Sequence, residues 1–195
     1  AETMKTRLWI LFGAFALGAT IAGAELNVLC TTFPIHLIAR NVAQGRAGVD
    51  LQLMLPAGMG CPHDYALTPQ DMRKLAAADV LVVNGLGLEE FLGAPVRTAN
   101  PDIETIDSSA GIQDLLEYAH EHAEAEEDHD HEAEADHDHA EYDHGHHHHA
   151  GVNPHLFASP RQAARIALNV AAGLSKADPE GAGVYFRNAQ AYADR

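Results

Sequence analysis

Fourteen of the 195 residues are histidine, and 11 of those lie between residues 119 and 149. They are His120, His122, His129, His131, His137, His139, His144, His146, His147, His148 and His149. Imidazole is a good ligand for zinc, copper and nickel. At neutral pH most of it is uncharged and free to ligate. The same stretch carries 12 acids and no Lys or Arg. Asp128-His129-Asp130-His131 and Asp136-His137-Asp138-His139 place imidazoles two residues apart, and His146 to His149 form a run of four. With almost no apolar side chains to offset its ordering entropy, the tract is expected to be disordered. A flexible chain can gather such groups around an ion in many equivalent ways, which gives several weak, fast-exchanging sites. The competing readings are a solvated acidic linker, or a purification tag at 146–149. The run is internal and a capped helix comes after it, which favours metal binding.

Two isolated His stand in Pro-containing loops beside element ends. His63 lies in Gly60-Cys61-Pro62-His63-Asp64-Tyr65, after the second expected strand. His155 lies in Asn153-Pro154-His155-Leu156-Phe157, just before an expected helix. In open α/β sheets ligands collect at the carboxyl ends of strands, which suits His63. Either His alone would more often be structural. Beside a His-rich tract they become the candidate pair. A closed zinc site wants four N, O or S donors, so a site with two looks half built. His36, on the first helix, is read as mainly structural, and Cys61 carries little weight as a thiolate ligand.

The elements that must position these residues can be read from hydropathy and breakers. Strands are expected at 26–31, 49–55, 79–84 and 103–106. Helices are expected over 35–43, with Ile35, Ile38, Ala39 and Val42 on one face, and from Thr68 to about Ala78. Thr68-Pro69-Gln70-Asp71 has the N-cap, first-turn proline and acid of a capping box, and Ser159-Pro160-Arg161-Gln162 reads the same way. From Ala163 to Leu174 apolar residues recur at helical spacing. Asp178-Pro179-Glu180 opens a further helix expected to run on to Arg195 without a stop signal. Strands alternating with helices over short loops predict an α/β lobe with an open, mostly parallel four-stranded sheet flanked by helices.

The formal charge is −16, from 28 acids and 12 bases. Removing the tract and residues 1–24 leaves 15 acids and 10 bases, an ordinary balance for a globular domain. This excludes a nucleic-acid binder and disfavours an anionic membrane surface. Lys5 and Arg7, the apolar run from Leu8 and the Ala22-Gly23-Ala24 exit read as a signal peptide cut near Ala24 and an exported chain. The alternative is a membrane anchor, for which 17 uncharged residues rich in Ala and Gly are short. Cys30 and Cys61 either form a disulfide or stay as two buried thiols; spacing does not decide between them.

Together these motifs resemble the periplasmic solute-binding proteins of zinc and manganese ABC transporters. The resemblance rests on Thr31-Thr32-Phe33-Pro34, Leu55-Pro56-Ala57-Gly58, Pro62-His63-Asp64-Tyr65, Thr68-Pro69-Gln70-Asp71, the run from Ala78 to Glu89, and Asn153-Pro154-His155-Leu156 with Ser159-Pro160. It spans 26–195 apart from the tract. It implies two α/β lobes joined by a long helix with the metal between them, His63 and His155 as ligands from the N-terminal lobe, and further ligands from a C-terminal lobe. It also implies a periplasmic location, delivery to a membrane permease, a monomer, and no catalysis. Asp64, Tyr65 and Asn153 are expected to orient the two ligands. Cys61 departs from an acid found in many members, and Asn153 from an Asp; neither change removes a ligand.

The organisation expected on this basis is a signal peptide at 1–24, an N-terminal metal-binding lobe at 25–118 and a disordered metal-binding loop at 119–149. Residues 150–178 would complete the lobe, and 179–195 would begin the inter-lobe helix, with the C-terminal lobe missing. The expected cargo is Zn²⁺, because massed imidazole suits zinc better than manganese. The alternatives are manganese or another divalent metal in the same family, or a metal store or adhesin that works through the tract alone. An exported zinc hydrolase is disfavoured, since no H-E-x-x-H, G-x-S-x-G or paired-acid motif is present.

Overall fold

The computed structural model describes residues 25–59, 62, 65–116 and 151–195. The leader, Gly60, Cys61, His63, Asp64 and the His/acid tract lie outside the described residues.

Four strands form one parallel sheet: β1 (Leu26–Cys30), β2 (Val49–Leu53), β3 (Val80–Val83) and β4 (Glu104–Asp107). Their order is β2-β1-β3-β4. The chain therefore steps from β1 to one side, then crosses back to build on the other, and the direction changes between β1 and β3. Crevices for ligands open at such a switch point, beyond the carboxyl ends of the strands. Beyond the end of β2, Met54 N and Leu55 N still donate to Cys30 O and Thr31 O, so the pairing runs to the residue before Pro56.

Five helices cover the sheet: α1 (Phe33–Val42), α2 (Pro69–Ala77), α3 (Gly93–Ala99), α4 (Pro160–Ala177) and α5 (Ala182–Ala193). Strand side chains alternate between faces. Val28, Cys30, Val80, Val82 and Ile106 pack against α1, α4 and α5, with Ile35, Val42, Ile166, Val170, Leu174 and Tyr185 opposite them. Leu29 and Leu81 turn the other way, onto Leu75 of α2 and Leu92. The helical side chains Ile35, Ile38, Ala39 and Val42 are the buried face of α1, and burying each large aliphatic one is worth about 1.5–3 kcal/mol. α4 lies so close to β4 that a Cβ on Gly173 would strike the Ile106 side chain. No helix among the described residues is long and apolar enough to cross a membrane.

Local differences from the sequence expectations have physical causes. The Thr68 capping box forms in full, with Thr68 Oγ1 accepting from Asp71 N and the Asp71 carboxylate accepting from Thr68 N. Ser159 makes no side-chain cap, and the return arm of the box is missing too: the Ser159 N–H is spent on Leu156 O across a short 3-10 turn (Leu156–Ala158), and the Gln162 side chain donates to Asp114 O. Asp178 does cap the next turn, a 3-10 turn (Pro179–Gly181), and α5 begins only at Ala182 and closes at Ala193. Helix α3 is an addition that periodicity does not announce: none of its residues is buried.

Candidate metal-binding cleft

The loops that leave β1, β2 and β3 at their carboxyl ends enclose a cleft of about 370 Å³. Phe33 and Pro34 line it from the start of α1, Leu55 and Pro56 from the end of β2, and Leu88 from the loop after β3. His155 and Phe157 close it from the segment before α4, their rings edge to face at 5.8 Å. The wall is mostly apolar, and among the described residues lining it the half-buried His155 is the only side chain with a nitrogen ligand.

His155 is held in a defined state. Its backbone N–H donates to Asn153 Oδ1 at 2.9 Å, and its Nδ1 lies 2.9 Å from the same atom. An atom that accepts from a backbone N–H is the amide oxygen, not the nitrogen, so Nδ1 must be the protonated ring nitrogen facing it. In the neutral ring Nε2 then carries the free lone pair. This is the arrangement by which an outer partner presents an imidazole to a metal.

A polar network sets the loop behind His155. Asn84, at the end of β3, donates from Nδ2 to Pro154 O at 2.9 Å and to Gly85 O at 3.0 Å. Glu89 turns its carboxylate back onto the strand ends, accepting from Thr31 Oγ1 (2.6 Å), Asn84 N (2.7 Å) and Gly85 N (3.2 Å). Burial pushes the Glu89 carboxyl above its usual range. The three donors pull the other way and the nearby Asp107 adds to the rise. Gly85 (φ +87°) is required here: a Cβ would run into the Asp107 and Ser109 side chains of the neighbouring strand end. The base of the span between β4 and α4 is closed by Asn153 N donating to Leu116 O at 2.7 Å.

The remaining expected residues fall in different places. The Tyr65 hydroxyl donates to Asp71 Oδ2 at 2.7 Å and its ring stacks edge to face on Phe91 at 5.7 Å, so its described contacts are with the α2 cap. Burial, then the Asp71 carboxylate, pushes the Tyr65 hydroxyl upward. His36 is half-buried on α1 with Nδ1 unpartnered, and burial followed by Arg40 lowers its proton affinity. It does not line the cleft. Cys30 is a free, fully buried thiol pushed up to about 12 by burial, which makes it inert. His63, Asp64, Cys61 and all 11 tract His lie outside the described residues. Among the described residues no three His, Cys, Asp or Glu side chains converge on a common point.

Asn84 and Glu89 are not singled out by sequence reasoning. Their partners lie 70 and 58 residues away, at Pro154 and Thr31. The available signal is an acid placed straight after an apolar strand and a Gly-rich turn, where a solvated charge has no periodic reason to be.

Residues 28–195 match the model of the family described as "ZnuA: Zinc-uptake complex component A periplasmic". The chain is 33% identical over 118 residues to the high-affinity zinc uptake system protein ZnuA of Haemophilus influenzae, covering 60% of this chain and 34% of that protein. It is 28% identical over 181 residues to the manganese-binding lipoprotein MntA of Halalkalibacterium halodurans, covering 92% and 49%. A solved structure of the SBP FpvC from P. aeruginosa in complex with Ni²⁺ superposes with a TM-score of 0.64 at 26% identity, over 88% of this chain and 50% of that one. The chain spans about half the length, or less, of each of these proteins. With a parallel four-stranded lobe, a cleft at its switch point and a match over residues 28–195, the chain belongs to the ZnuA family of zinc and manganese ABC solute-binding proteins.

Proposed function

We propose that the chain is the zinc-capturing lobe of an ABC uptake system, which takes Zn²⁺ outside the cytoplasmic membrane and passes it to a membrane permease. His63 and His155 are the ligands this lobe contributes. The observation that carries the reading is His155 in the cleft, with Nδ1 committed to Asn153 Oδ1 and Nε2 left to donate. Pro62, which precedes His63 in the sequence, is among the residues lining the same cleft. Two imidazoles do not complete the tetrahedron zinc prefers, so the remaining donors come from a second lobe, in keeping with the half-length match to the relatives. Asn153 orients His155; Asp64 and Tyr65 support the His63 loop.

In this reading residues 1–24 direct export, 25–118 and 150–178 form one lobe, 119–149 gather zinc for it, and 179–195 lead toward the second lobe. The protein works as a monomer and performs no catalysis. Manganese is the competing cargo, favoured by the manganese-binding relative that covers 92% of this chain. Zinc is preferred because the 11 tract His offer imidazole nitrogen, which suits zinc better than it suits manganese.

Calorimetric titration with Zn²⁺ and Mn²⁺ tests this. His63→Ala and His155→Ala should each remove the tightest zinc event, and deletion of 119–149 should lower the stoichiometry and leave that event in place. If the tightest event survives both His substitutions and disappears with the tract, the tract is the whole function. If Mn²⁺ binds the His63 and His155 site more tightly than Zn²⁺, the cargo assignment is wrong.

A further inference from the structure

We propose that Asn84 is the positioning residue for His155, fixing the peptide that carries the imidazole against the edge of the sheet. The geometry stands by itself; its purpose rests on the reading of His155 as a metal ligand.

Asn84 is 1% exposed. Its backbone N–H is spent on Glu89 Oε1, and its backbone oxygen accepts from Ser108 Oγ at 3.1 Å, so the main chain here is immobilised by neighbours on both sides. Both side-chain N–H groups go to carbonyls, Pro154 O and Gly85 O, while Oδ1 is buried without a partner. Turning the amide over would press Oδ1 against those two carbonyls, so the orientation is forced. A buried amide with an orphaned acceptor is a poor choice for stability alone. It is a good choice for reach. Asp, as a carboxylate, has no donor to offer, and Ser is a bond shorter than the side chain that reaches Pro154.

The carbonyl that Asn84 holds belongs to the Pro154–His155 peptide. The N–H of that same peptide donates to Asn153 Oδ1. Two Asn side chains thus hold both polar atoms of one peptide plane. The Asn153 side chain bonds only within its own turn. Asn84 reaches across 70 residues and relates the turn to the sheet, and hence the imidazole to the cleft wall.

The test uses the full chain, ¹⁵N-labelled, with Asn84→Ala and Asn84→Asp, amide hydrogen exchange, and titration with Zn²⁺ alone. In both variants the His155 N–H should exchange roughly tenfold faster, the scale of one lost hydrogen bond, while the Leu81 N–H inside the sheet is unchanged. The zinc concentration that shifts the His155 ring resonances should rise by roughly the same tenfold factor. The zinc concentration that shifts the tract His resonances, an internal reference, should be the same in the variants and the parent. Unchanged exchange at His155 overturns the proposal, and so does an equal loss of protection at Leu81, which would mean a purely global effect. In the parent chain the Asn84 Nδ2 protons should exchange slowly; rapid exchange overturns the proposal even if neither variant folds. A parent whose His155 ring ignores zinc sinks the ligand reading only, and the exchange comparison then decides the positioning.

Discussion

Two carboxylates anchor opposite edges of the same sheet, and they are held in opposite ways. At the amino-terminal edge, where the loop before β2 meets the corner between α4 and α5, Asp178 takes a fork from Arg46 (2.8 and 2.9 Å), the Tyr185 hydroxyl at 2.6 Å and the Gly181 N–H. A cation matches the charge, and the Arg46 guanidinium, ahead of Tyr185, draws the Asp178 carboxyl below its usual range. At the carboxyl edge Glu89 has, among the described residues, only neutral donors and no cation, and burial pushes it upward. The first arrangement gives rigidity at a corner that only has to hold. The second holds loops in place without putting a cation beside the cleft that we propose takes one. A positive side chain near His155 would repel an arriving metal ion.

The largest test of this contrast is at Tyr185, which is fully buried in the main core. Tyr185→Ala should cost about 3–5 kcal/mol, through the cavity it leaves and the donor it removes from Asp178. Asn153→Ala, at the other edge, should cost about 1 kcal/mol or less while releasing His155 from its tautomer. Urea unfolding gives both numbers, and comparable losses would erase the distinction between a corner that holds and an edge that presents.

A smaller effect separates the two helix caps. Thr68→Ala breaks a formed box and should cost about 1 kcal/mol. Ser159→Ala, whose hydroxyl caps nothing, should change stability by no more than a few tenths (~0.3 kcal/mol). A Ser159 cost equal to that of Thr68 would mean the hydroxyl caps α4 in solution.

The smallest effect is one of sign. Asp178 titrates lower in the fold than in the unfolded chain, so its contribution is complete above about pH 3.9 and is lost as pH falls through the lowered value. Glu89 titrates higher than its unfolded value of about 4.3, so its contribution is complete below that value and is lost as pH rises through the raised one. Between about pH 7 and pH 3 the Tm gap between the parent and Asp178→Asn should therefore shrink on acidification, and the gap to Glu89→Gln should widen. Gaps that move in the same direction would show that the two carboxylates are held alike.

Much of the frame is legible in the sequence. All four strands and four of the helices follow from apolar runs and helical spacing, because burial on one face or two leaves that mark. Helix α3 leaves none, since Gly93-Ala94-Pro95-Val96 shows no apolar period and the helix only half-buries Val96 and Ala99. The Ser159 box misleads because the same four residues suit a cap whether or not a 3-10 turn intervenes. The pairing of Asn153 with His155 is legible, since the two sit two residues apart in one loop. Asn84 and Glu89 are not, because their roles exist only once strand ends 58 to 70 residues apart in sequence are brought side by side.

The hydrogen bond from Asn153 N to Leu116 O bears on how such chains diversify. It seals the base of whatever runs between those two residues. Since loop closure costs grow only as the logarithm of length, doubling that insert would cost about 0.6 kcal/mol. Sequence can be added, trimmed or recoloured there almost freely, while the imidazole two residues downstream keeps its place. The cleft can stay constant while the segment between Leu116 and Asn153 changes in length or composition.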